Sequence, residues 1–148
     1  MRRVLRLLVA ATAFTAAACS GDSGTSPSIL PGAPYSQTDV RVGTGTEATA
    51  GRRATVNYTG WIYDPATAEN KGRQFDSSLA PGRTPFMLTV GSGQVIRGFD
   101  MGITGMRVGG ARRVVIPPDL AYRNMGSQDG TIPPNATLVF DIELLDVV

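Results

Sequence analysis

The 148-residue chain has no histidine and one cysteine, Cys19. Without imidazole there is no serine-histidine or cysteine-histidine hydrolase relay and no zinc site that needs a histidine ligand, so neither metal nor cofactor is expected. A single cysteine excludes a disulfide within the chain. Aromatic residues make up only 7%, charged residues 18% and apolar residues 42%, which is enough for one domain of ordinary size. The basic excess is small, 14 against 12, and Arg2, Arg3 and Arg6 supply it; beyond residue 18 the formal charge is −1. That balance offers no clustered basic face, and nucleic acid is not expected as a partner. Long hydrophobic runs are lacking too. The longest, Leu7–Ala18, spans about 12 residues, signal-peptide length rather than the roughly 20 of a membrane span.

What is present begins with that segment. Three arginines, an apolar run, then Ala16-Ala17-Ala18-Cys19 place small residues where a peptidase must approach the backbone. The segment resembles a bacterial lipoprotein signal, although Ala16 stands where leucine is usual; an ordinary secretory cut in the same stretch is the alternative. The resemblance implies that residues 1–18 are removed, that Cys19 is lipidated, and that the protein is extracytoplasmic and lipid-anchored, on the periplasmic face of a bacterial membrane. Residues 19–36 read as a Ser/Gly/Pro tether and residues 37–148 as the domain. The 15 residues Ser20–Pro34 would hold that domain about 20 Å from a bilayer on average, and up to about 50 Å when stretched.

Within the domain the main periodicity is two. Leu138, Phe140, Ile142 and Leu144 alternate with their neighbours, as do Ala54, Val56 and Tyr58, and Ala111–Ile116 repeats the pattern. Gly- and Pro-rich punctuation interrupts any long helix, and only Val95–Met106, with Ile96, Phe99 and Ile103 spaced at three and four, offers one; Gly98, Gly102 and Gly105 keep it short. The expected architecture is α+β, an antiparallel sheet covered by one short helix.

Several motifs carry less than they suggest. Gly43-Thr44-Gly45 and Gly91-Ser92-Gly93 begin like phosphate loops, but neither joins a strand to a long helix, and turns explain them better. Asp76 is a lone acid, not the pair that glycoside chemistry needs. Arg112-Arg113, at the start of an alternating strand, reads as one solvated and one half-buried stem.

One ordered series remains. It runs Val56-Asn57-Tyr58-Thr59-Gly60, Phe75-Asp76-Ser77-Ser78, Gln94-Val95-Ile96-Arg97-Gly98-Phe99, Ala121-Tyr122, and Ile132-Pro133-Pro134-Asn135-Ala136-Thr137-Leu138-Val139-Phe140. From about Thr38 to Asp146 the chain resembles the FK506-binding (FKBP-type) peptidyl-prolyl cis-trans isomerases. That resemblance implies a five-stranded antiparallel sheet wrapped around one short helix, with an apolar pocket between them. It also implies rotation of X-Pro bonds in unfolded or partly folded polypeptides, and affinity for FK506-like macrolides. Carried over by motif, Tyr58, Phe75, Asp76, Ile96, Tyr122 and Phe140 are the catalytic set, and Phe86, Val95, Phe99 and Ile132 bind the substrate. Phe99 takes the floor position usually held by tryptophan. The rim departs from the family: Asp64–Arg73 and Arg123–Gly130 differ in length, and Gly82 replaces a basic residue that Arg83 is placed to substitute. The alternatives are a proline-segment binding module or weak chaperone of the same fold without turnover, and a purely structural lipoprotein. A monomer is the default expectation.

Overall fold

The computed structural model describes residues 32–148; the signal segment, Cys19 and all but the end of the tether lie outside that range. Six strands and one α-helix follow in order: β1 (Ser36–Arg41), β2 (Arg53–Tyr63), β3 (Lys71–Ser77), β4 (Phe86–Thr89), α1 (Arg97–Ile103), β5 (Ala111–Ile116) and β6 (Leu138–Val147). They form one antiparallel sheet in the order β1-β5-β6-β2-β3, with β4 also paired to β2. β2 is 11 residues long, so its outer edge accommodates two short strands in succession, β4 against Arg53–Val56 and β3 against Thr59–Tyr63. The expected five rows are present, the last divided between two strands.

Alternation explains the centre. Leu138, Phe140, Ile142 and Leu144 of β6 are buried, as are Ala54 and Val56 of β2 and Val114 and Ile116 of β5, all in one core with Phe99 and Ile103 of α1. The helix is shorter than Val95–Met106, because Thr104 is already non-helical and Gly105 takes a left-handed φ of 78°. Its internal glycines have a further role. A Cβ on Gly98 would stand 2.3 Å from Ile116, and one on Gly102 2.7 Å from Val114, so their absence lets α1 lie flush on β5.

The arginine pair departs from expectation. Arg112 faces the helix and is 8% exposed, its Nη1 donating to the carbonyls of Gly102 and Thr104 and its Nε to Asp39. It thereby satisfies carbonyls left open at the end of α1. Arg113, one residue on, points to the opposite face and bonds Asp141 in two places. Arg113 is the half-buried stem, at 22% side-chain exposure, while Arg112 is buried where a solvated stem is expected, because Asp39 and the carbonyls at the end of α1 hold its guanidinium group.

Candidate active site

The cavity begins with a bulge. In the β2–β3 ladder Gly60 pairs with Asp76 and Trp61 with Gln74, leaving Phe75 as an extra residue. In a regular strand Phe75 and Asp76 would face opposite sides of the sheet; the bulge turns both toward one hollow. Gly60 makes room for it. A Cβ there would meet the rings of Phe75 and Phe140 at 2.6 and 2.8 Å.

The hollow, about 250 Å³, is lined by Tyr58, Phe75, Asp76, Phe86, Gln94, Val95, Ile96, Phe99, Tyr122 and Phe140. Six of the chain's ten aromatic residues therefore surround one space. Their rings meet mostly edge to face: Phe99–Phe140 at 5.1 Å, Phe75–Phe140 at 5.5 Å, Tyr58–Phe99 at 5.7 Å and Tyr58–Phe86 at 5.9 Å between centroids. Such contacts fix ring orientation as well as burying area. Phe99 and Phe140 form the floor, at 4% and 5% exposure, while Phe86 and Tyr122 stand at the rim, at 36% and 37%.

Polar groups converge at one edge. Tyr58 Oη donates to Asp76 Oδ2 at 2.5 Å, Ser77 N–H donates to Asp76 Oδ1, and Arg83 pairs with that same oxygen. Arg83 thus supplies the cation absent at Gly82. Burial, the hydrogen bond to Asp76 and the charge of Asp76 together push the Tyr58 hydroxyl up to about 12. Burial, with Asp76 and Asp129 nearby, also raises Tyr122. Tyr122 Oη finds no hydrogen-bond acceptor among the described residues, and neither does the Ile96 N–H, whose own carbonyl accepts from Phe99 and Asp100. Both donors are open to a ligand.

Nine of the ten pocket residues read from the sequence line this space; Ile132 does not. Its side chain is 4% exposed within the core, and its N–H and carbonyl are tied to Ser127. Two residues were missed. Gln94 lines the hollow while its Oε1 accepts from Thr89 N–H, and Asp100, 9% exposed on α1, accepts from the N–H groups of Gly91 and Gly93. The loop-like Gly91-Ser92-Gly93 motif does therefore cradle an anion, the chain's own carboxylate, and that grip sets the turn leading into Gln94-Val95-Ile96. The signal was available: Asp100 stands at a core position of the helical stripe Ile96, Phe99, Ile103, where a charge has to be satisfied internally.

Comparison with known proteins bears on the fold and the family. Residues 44–145 match the family model described as FKBP-type peptidyl-prolyl cis-trans isomerase. An FK506-binding protein of Neisseria meningitidis serogroup A is 48% identical over 109 residues, which cover 74% of this chain and 92% of that protein. Among solved structures, AtFKBP13 superposes with a TM-score of 0.64 at 35% identity, covering 77% of this chain and 93% of its own. FkpA from Escherichia coli gives 0.64 at 37% identity over 76% of this chain, which spans 47% of the FkpA chain.

Proposed function

This chain belongs to the FKBP-type peptidyl-prolyl cis-trans isomerases and is an enzyme of that type; on that premise we propose that its aromatic cavity accelerates X-Pro rotation without bonding covalently to the substrate. An X-Pro imide favours trans by only about 0.5–1 kcal/mol, yet exchange takes tens of seconds or more, because twisting the amide costs about 18–20 kcal/mol. Catalysis then requires tighter binding of the twisted bond than of the planar one. Twisting reduces charge separation across C–N, so a water-poor ring-lined hollow favours the twisted state. Phe99 lies beneath the proline ring, with Phe86 and Val95 at its sides. Ile96 N–H and Tyr122 Oη hold substrate carbonyls, and Tyr58, Phe75 and Phe140 present ring edges to the rotating oxygen. Asp76 fixes the Tyr58 ring through its hydroxyl.

The observation that carries this reading is the edge-to-face ring cluster around a proline-sized hollow with two unengaged donors at its mouth. The test is cis-to-trans relaxation of a short X-Pro peptide with and without the protein. Acceleration supports the enzyme; binding without acceleration supports a proline-segment module or weak chaperone. FK506-like macrolides are proposed to compete for the same hollow.

We further propose that the domain works outside the cytoplasm on folding polypeptides, as a monomer tethered through lipidated Cys19. The support is Arg2, Arg3 and Arg6 ahead of an apolar run ending in Ala-Ala-Ala-Cys, then a Ser/Gly/Pro stretch. Mass spectrometry of the mature N-terminus tests it, and an intact unmodified Cys19 overturns it.

A further inference from the structure

Next to the prolyl cavity lies a second, wider cleft of about 880 Å³. Tyr122 is a wall of both, and the two meet again where Ile96, lining the cavity, is followed by Arg97, lining the cleft. A polypeptide with its proline in the first hollow has a direct exit into the second. Met125, 81% exposed, provides an apolar surface there.

The charges of the cleft are unequally committed. Asp129 is used by its own loop: it accepts from Ser127 Oγ, Thr131 N–H and Thr131 Oγ1, bonds that hold its carboxyl down to about 2. Arg97 and Arg123, the two arginines that line the cleft, form no ion pair among the described residues; Arg52, Arg53 and Arg73 are also without one but lie outside the cleft, and Arg41, Arg83, Arg107, Arg112 and Arg113 are all paired. Of the two acids that line the cleft, Asp119 alone is without a partner among the described residues, so the cleft's free groups favour cations two to one. Arg123 is also rigidly presented. Its backbone is held at a φ of 52°, unfavourable for a side-chain-bearing residue, with its N–H on the Pro118 carbonyl and its own carbonyl accepting from Asn135 N–H.

We propose that this cleft binds the stretch of substrate flanking the proline and selects an acidic side chain there through Arg97 and Arg123. The inference rests on the prolyl-cavity reading above and adds to it a substrate preference. Guanidinium groups suit carboxylates because two N–H donors meet two oxygens, and at exposed sites such pairs are modest and salt-sensitive.

The test uses labelled peptides sharing one X-Pro core: the core alone, the core extended by two glutamates on one side or the other, and the same extensions with lysines. Affinity is read by fluorescence anisotropy and relaxation in parallel. On one of the two sides the glutamate peptide should bind about fivefold tighter than its lysine counterpart at low salt. That preference should fall toward unity in the Arg97→Gln/Arg123→Gln protein and at about 0.5 M salt, and persist in Arg97→Lys/Arg123→Lys. Equal affinities on both sides, or a preference surviving the double glutamine variant, overturn the inference. If the core is bound but not accelerated, the catalytic reading fails while the charge preference still decides this one; if the core is not bound at all, both fall.

Discussion

The sheet carries an arginine-carboxylate pair and a hollow on each face, and the two faces differ in what their groups are spent on. On the helix side, Asp76 meets Arg83 and Tyr58 beside the 250 Å³ cavity. On the other side, Asp141 meets Arg113 and Lys71 next to a depression of about 310 Å³ that also holds Arg41 and Glu143, themselves paired. The two acids are almost equally exposed, 37% against 34% of the side chain. Burial pushes the Asp141 carboxyl up, but hydrogen bonds from Arg113 and Lys71 outweigh it and hold it below the usual range. Lys71 also caps the Trp61 ring at 4.5 Å, so the chain's one tryptophan and its charges are engaged with each other. Size and charge do not distinguish these hollows. Unspent donors and ring edges do.

The comparison can be broken most sharply at the floor of the cavity. Phe140→Ala should lower kcat/KM for an X-Pro peptide by tenfold or more, and it should also cost about 3–5 kcal/mol of stability in a denaturant melt. Phe140→Leu separates the two effects: it keeps most of the volume and should cost under about 1.5 kcal/mol, while the loss of the ring edge still lowers turnover by about tenfold. Turnover unchanged in Phe140→Leu would remove the ring edges from the mechanism.

Asp76→Asn should lower turnover less, by about three- to tenfold, because the amide oxygen still accepts from Tyr58 without its charge. Ultraviolet titration should then show Tyr58 ionising below about 12 yet above the ordinary 10, since burial, the largest cause of its elevation, remains. Asp141→Asn is the counterpart on the other face. It should cost about 1–2 kcal/mol of stability by weakening the bonds to Arg113 and Lys71, while kcat/KM stays at the wild-type value. A parallel loss of turnover would show that the faces are coupled.

The smallest effect concerns pH. Tyr58 has a higher pKa folded than unfolded, so the stability linked to it is fully present below about 10 and is lost only as pH rises through about 12. With no histidine in the chain, kcat/KM should be flat between about pH 6 and 9. A bell-shaped profile in that window would point to a general acid or base absent from this account.

The centre of the molecule was legible because its strands alternate: β5 does so throughout, β2 over Ala54–Val56, and β6 over Phe140–Leu144, with Val139 buried as well on its other face. The edges were not. β1 is exposed along its whole length, β4 has four residues, and β3 carries the bulge, so none shows a clean period. The aromatic residues of the cavity could be named from their motifs, but the reason Phe75 and Asp76 reach the same space is a register shift that no single-strand pattern displays. Ile132 is a related case: the motif places it with the cavity residues, while its own side chain is buried in the core. Arg112 shows the reverse: alternation alone does not say which arginine of the pair turns inward, and the open carbonyls at the end of α1 draw this one into the core.

The central claim is that a hollow built of rings binds a half-rotated imide more tightly than a planar one, with no proton transferred and no bond made. Exchange spectroscopy on an X-Pro peptide, run in light and heavy water with catalytic amounts of protein, tests it most directly. The account predicts accelerated exchange whose enhancement is the same in both solvents. No acceleration, or an enhancement that drops by half or more in heavy water, would contradict it.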